Sequence, residues 1–157
     1  MLGKPTILIA VASLFAATPA FAQSPAIQLD SDVELAQEIL TKEGAQTQFV
    51  EPAKVVPGDK LRFTISYRNV GSDLVEDFVV TNPMPSAVML AAEGAAEHEV
   101  SVDGGDSWGA LADMMVTDAV SGKPRAAISA DVTHVRWLLA KVQPGEVGQL
   151  QYYAIVR

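Results

Sequence analysis

The chain has 157 residues, 11 Lys and Arg against 19 Asp and Glu, a formal net charge of −8 and no cysteine. That charge repels phosphate backbones, so nucleic acid is a poor partner, and an anionic lipid surface is disfavoured as well. Without cysteine there is neither a disulfide nor a thiolate zinc site, so stability must come from an ordinary core, for which this length suffices.

Read from the start, Lys4 supplies a positive segment and residues 6–17 form an apolar run. That run has the length of an export-signal core and is too short to span a bilayer. Thr18-Pro19 breaks it, and Ala20-Phe21-Ala22 provides a small-x-small cleavage site. The expected organisation is a signal peptide over 1–22, a flexible leader over 23–30 and one domain over 31–157. Export without disulfides points to a bacterial envelope, with the protein in the periplasm or outside the cell. No later apolar stretch is long enough to cross a membrane, and no lipidation cysteine follows the signal.

The domain reads as strands. Ser31-Asp32-Val33-Glu34 has the form of a helix capping box, with Val33, Ala36 and Leu40 on a helical stripe. Val33, Leu35, Gln37 and Ile39 also alternate, and Lys42-Glu43-Gly44 resembles a turn into 46–50. A hairpin is preferred, because the rest of the chain is strand and must share one core. Residues 60–68 carry the clearest signal. Leu61, Phe63, Ile65 and Tyr67 alternate with Lys60, Arg62, Thr64, Ser66 and Arg68, which gives one buried and one wet face. Further strands are expected over 76–81, 86–91, 97–102 and 111–116, then a long loop over 117–130, then strands over 133–139 and 147–156. Seven to nine short strands with turn signals between them indicate an all-β, immunoglobulin-like β-sandwich. The expected core joins Phe63, Ile65, Tyr67, Trp137, Leu139, Leu150 and Tyr152.

The turns carry a likeness. Val56-Pro57-Gly58-Asp59, then Tyr67-Arg68-Asn69-Val70-Gly71, then Val80-Thr81-Asn82-Pro83-Met84-Pro85 resemble the bacterial conserved-repeat domain of unknown function, family eleven of that series. The resemblance covers about 33–157 and is strongest over 55–85. It implies an extracellular or periplasmic immunoglobulin-like sandwich of the kind repeated in large surface proteins, and it brings no catalytic residue and no cofactor. Asn82 stands where the family usually has Asp, and there is one copy rather than an array. The matched residues are turn chemistry: Pro57, Gly58 and Asp59 turn the chain into the strand, Gly58 and Gly71 permit positive φ, Asn69 bonds local backbone, and Pro83 and Pro85 end strand pairing.

Residues 101–108, SVDGGDSW, resemble the Asp-box, Ser-x-Asp-x-Gly-x-Thr-Trp, a hairpin turn known from sialidase propellers and other proteins. Asp103 is expected to accept backbone N–H groups, Gly104 and Gly105 to allow the turn, and Trp108 to fold back over it. A calcium site at Asp103 and Asp106 is the alternative, although the oxygen series of a calcium loop is missing. His98 and His134 read as surface or pairing residues. Lys123, Arg125 and Arg136 are basic residues in an acidic chain and are candidates for binding a partner. No catalytic set can be nominated, because acids are too numerous for a pair to mean anything and no nucleophile loop is visible. The expected function is a non-catalytic, exported structural or protein-interaction module without a cofactor. Its expected partner is an envelope or surface protein, or a glycan. A carbohydrate-binding module using Trp108 or the 117–130 loop is the alternative, and a small hydrolase the third.

Overall fold

The computed structural model describes residues 26–93 and 98–157. The expected signal segment, the first residues of the leader and Glu97 lie outside them. Ten strands occur among the described residues: β1 (Ile27–Thr41), β2 (Gly44–Val50), β3 (Lys60–Asn69), β4 (Val75–Pro83), β5 (Val88–Leu90), β6 (Glu99–Ser101), β7 (Met115–Thr117), β8 (Pro124–Ala126), β9 (His134–Val142) and β10 (Val147–Val156). They form a five-stranded sheet, β2-β1-β3-β10-β5, a three-stranded sheet, β4-β9-β6, and a separate β7-β8 ribbon. The protein is an all-β sandwich in which every strand pair is antiparallel. The chain crosses to the smaller sheet between β3 and β4, returns for β5, crosses again to β6, and rejoins the larger sheet between β9 and β10. None of the described helical segments is long and apolar enough to cross a membrane.

The alternation in β3 turns Leu61 and Ile65 inward as expected, whereas Thr64, expected on the wet face, is buried as well. Leu150, Tyr152 and Ala154 of β10 stand beside the inward side chains. Val80 of β4, Val100 of β6 and Val135 and Trp137 of β9 close the core from the other sheet. Phe63 and Tyr152 stack with centroids 4.7 Å apart and planes 5° from parallel. Trp137 lies 6.2 Å from Tyr152 across the sandwich. Offset aromatic contacts of this kind add to simple area burial.

Tyr67 departs from the expected core. It faces Gly148 in the β3–β10 register, and a Cβ at residue 148 would run into its ring. Gly148 leaves the room that the phenol fills over the backbone of the neighbouring strand.

Other expectations need correction. Ile27–Asp30 are not leader but the first residues of β1, paired with Asn69 through Ser66, and Ile27 is buried. Ordering this segment completes the pairing of β3, which would otherwise be an open edge. The expected strands at 86–91 and 97–102 shrink to β5 and β6. Residues 111–113 form a 3-10 turn, in which Asp113 and Met114 N–H groups bond back to Ala110 and Leu111, and strand begins only at Met115. The 117–130 segment is not one open loop. Met115–Thr117 pairs with Pro124–Ala126, and the tip between them is drawn in by Asp118, whose Oδ1 accepts from Ser121 N at 2.7 Å and Ser121 Oγ at 2.8 Å.

At residues 31–34 the hairpin reading holds and the capping-box pattern forms strand. Asp32 stands opposite Thr64, and Glu34 opposite Arg62, to which it is ion-paired at 2.6 Å. Tertiary pairing with β3 overrides the local helix signal.

β4 contains the one non-glycine residue with positive φ among those described, Asp77 at 51°. Val75 pairs with Val142 and Phe78 with Leu139, and these four are buried or half-buried, whereas Glu76, Asp77, Ala140 and Lys141 between them are exposed. The inward–outward alternation therefore slips by one place in both strands at once. Left-handed Asp77 is where β4 makes the slip, on the outer edge of the smaller sheet.

Candidate functional site

The SVDGGDSW hairpin is built around a serine. β6 places Ser101 in the interior, fully buried. Its Oγ donates to Asp103 Oδ1 at 2.7 Å and accepts from Gly105 N at 2.9 Å. Asp103 Oδ1 also accepts from Ser107 N at 3.0 Å, and Oδ2 accepts from Ser107 Oγ at 2.5 Å. Gly104 and Gly105 adopt φ of 82° and 102°, values that side chains with a Cβ resist. Thr133 fastens the turn to the start of β9: its N–H donates to Ser101 O, and its Oγ1 accepts from Gly104 N at 3.1 Å.

Trp108 folds back over this turn. Its Nε1–H donates to Gly105 O at 2.9 Å, the Arg136 guanidinium lies 4.5 Å from its ring centre, and His134 meets it edge-on at 6.2 Å. Arg136 is in turn bound by Glu99 at 2.7 Å. Both oxygens of Asp103 are thus engaged within the hairpin, and the hydrogen bonds from the Ser107 hydroxyl and N–H, then from Ser101, hold its carboxyl far below the usual carboxylate range. Among the described residues no group of three His, Cys, Asp or Glu is placed to hold a metal ion. Asp106 is exposed and belongs to no such group. The arrangement is turn chemistry and supports the structural reading of Asp103, Gly105 and Trp108.

The other turn residues are more deeply engaged than local chemistry implied. Asn69 is fully buried; its Nδ2 donates to Asp73 O at 2.9 Å and Val142 O at 3.0 Å, and its Oδ1 accepts from Gly71 N at 2.9 Å. Gly71 does not have positive φ, contrary to expectation. Asn69 and the carbonyl of Ala26 hold its N–H instead, and a Cβ there would sit 3.3 Å from Ala26 Cβ. Pro57-Gly58-Asp59 clasps the last strand: Gly58, at φ 96°, donates to Val156 O, Val156 N donates to Asp59 O, and Asp59 Oδ2 accepts from Val56 N at 2.8 Å. Asn82 Nδ2 donates to the Tyr152 hydroxyl at 2.8 Å. Burial pushes that phenol up to about 12, with the Asn82 bond opposing the shift. Pro83 ends β4, and Pro85 O accepts from Val88 N in the turn to β5.

The three basic candidates are not a shared patch of open charge. Arg125 grips Asp131 through two bonds at 2.6 and 2.8 Å, with Asp118 at 3.6 Å, which ties the β7–β8 ribbon to the 3-10 turn at Ser129–Asp131. Arg136 belongs to the Trp108 cluster on the smaller sheet. Lys123 is exposed at the ribbon tip. His98, expected as a surface or pairing residue, is buried, with its ring 5.5 Å from the Trp137 ring centre.

Two features escaped the sequence. The first is the outer face of the five-stranded sheet. Arg62 stacks 3.6 Å from the Phe49 ring centre while bonded to Glu34, and Lys60 lies 4.8 Å from that of Tyr153 while bonded to Glu93. Beside them a shallow groove is lined by Asp32, Glu34, Arg62, Thr64, Gln149 and Gln151. The wet-side positions of the period-two strands announce polar residues, but only the register aligns them.

The second is an arm. Pairing between β1 and β3 ends at Leu35 with Leu61, whereas pairing between β1 and β2 continues from Leu35 with Val50 to Thr41 with Gly44. The hairpin thus runs beyond the sheet as a two-stranded ribbon. Residues 37–40 and 42–48 are exposed, and Leu40 is 91% exposed. Comparison with protein-family models, curated proteins and solved structures finds no match for this chain.

Proposed function

We propose that the protein is a non-catalytic, exported interaction module of the bacterial envelope, an immunoglobulin-like sandwich of the conserved-repeat kind that its turns resemble. The observation that carries this reading is the β1–β2 arm. A lone two-stranded ribbon is marginal in water, and an open strand edge is a template for another chain. A fold that spends residues 36–49 on such a projection, with Leu40 in solvent, has the form of a module that docks through it. The stretch that suggested chemistry supports the reading too, since Asp103 is engaged in holding its own turn. The test replaces residues 37–48 by a two-residue Asn-Gly turn and compares capture of periplasmic and outer-membrane proteins by the two forms. Loss of capture with an unchanged melting curve is expected; undiminished capture overturns the reading.

A second reading, carbohydrate binding, is favoured by the outer-face groove rather than by Trp108, whose ring is already covered by Arg136. Gln149, Gln151, Thr64, Glu34 and Asp32 are the amides, hydroxyl and carboxylates that bond sugar hydroxyls, next to the aromatic rings of Phe49 and Tyr153. A glycan array probed with wild type and with Gln149→Ala/Gln151→Ala tests it, and equal signals from both would dismiss the groove.

A further inference from the structure

We infer that the free edge of β2 pairs antiparallel with β2 of a second copy, centred on Thr47, so that two five-stranded sheets join into one. This rests on the reading of the arm as a docking element and names its occupant. Among the described residues, β2 pairs with β1 alone. Natural edge strands are commonly guarded by charge, by proline or by shortness. β2, Gly44-Ala45-Gln46-Thr47-Gln48-Phe49-Val50, has seven residues and contains no charge and no proline. In a chain of net charge −8, two copies repel over most approaches, whereas β2 itself sets no charged side chain against its copy.

The strand is also self-complementary. With Thr47 on a two-fold axis, Gln46 meets Gln48 of the second copy, Ala45 meets Phe49, and Gly44 meets Val50. Every large side chain faces a small one, and amide faces amide, on matching faces of the joined sheet. An isologous contact of this type closes after two copies. Glu43 and Glu51 flank the strand and are exposed. In this register they fall opposite one another just beyond its ends, so added salt should strengthen the pairing.

The cysteine-free chain permits a clean test. Thr47→Cys brings two thiols face to face, with Cα atoms about 4.5–5.5 Å apart, inside the span of a disulfide. Ala45→Cys, on the same face, leaves them roughly 14 Å apart, four strand residues along, and out of reach. Sedimentation across a concentration series should show a dimer that strengthens with salt. Under mild oxidation Thr47→Cys should cross-link at least about tenfold faster than Ala45→Cys. Thr47→Lys should stay monomeric with an unchanged melting curve, since Thr47 is exposed. A monomer at all concentrations, or equal cross-linking of the two cysteine variants, overturns the inference. If a monomeric protein still captures an envelope protein through its arm, the self-pairing is wrong and the docking reading survives. If the dimer forms as described but shortening the arm leaves envelope capture intact, the self-pairing stands and that reading falls.

Discussion

The carboxamide of Asn69, at the end of β3, donates to the carbonyl of Val142, at the end of β9, across 3.0 Å and between the two sheets. One buried side chain thereby closes its own turn, through Gly71 and Asp73, and ties the larger sheet to the smaller. Asn69→Ala removes two donors and one acceptor from a fully buried site and is expected to cost about 2–3 kcal/mol in urea unfolding. Asn69→Asp should be no better, because it sets a carboxylate against two carbonyl oxygens. A change in midpoint within about 0.5 kcal/mol would show that the bond across the sandwich contributes little.

Acid should loosen the SVDGGDSW turn. Hydrogen bonds from Ser107 and Ser101 lower the Asp103 carboxyl in the folded state, and Arg125 lowers that of Asp131 to about 2. A group depressed on folding adds stability above its unfolded value, near pH 4, and that stability is lost as pH falls toward the folded value. The melting temperature of wild type should therefore drop between about pH 4 and pH 2, and Asp103→Asn should flatten part of the drop. Calcium or chelator should shift neither curve by several degrees. A calcium-dependent rise in wild type that both Asp103→Ala and Asp106→Ala abolish would restore the metal reading.

The left-handed backbone at Asp77 sets an order of stability. Asp77→Gly relieves the strain but adds freedom to the unfolded chain, for a net gain of about 0.5 kcal/mol, whereas Asp77→Val is expected to cost more than about 1 kcal/mol. Equal urea midpoints for the glycine and valine variants would mean that the slip in β4 is made without strain at this residue.

Gly148 and Tyr67 should behave as a pair. Gly148→Ala pushes a methyl into the Tyr67 ring and is expected to cost about 1–3 kcal/mol. Tyr67→Ala frees that space, so adding Gly148→Ala to it should cost far less, a coupling that a double-mutant cycle measures directly. Additive effects would place the ring elsewhere in solution.

Much of the architecture was legible in the chain itself. Alternation over β3, β9 and β10 assigned the faces, because a strand side-chain period of two needs no partner to be visible. Pro57-Gly58-Asp59 and SVDGGDSW announced turns, because glycine, proline and Asx side chains act on backbone within a few residues. Tertiary structure alone decided what stands opposite. Ile27–Asp30 became strand because β3 offered its edge, Ser31–Glu34 because Arg62 and Thr64 face it, and Gly71 kept an ordinary φ because Asn69 and Ala26 hold its N–H. His98 went inside because Trp137 lies there, and the arm projects because β3 stops pairing at Leu61 while β2 continues. Local pattern carries torsion preference and polarity over a few residues. Register, burial and the end of a pairing depend on surfaces brought together from distant parts of the chain, as the Asn69–Val142 bond is across 73 residues, and they exist only once the sandwich has closed.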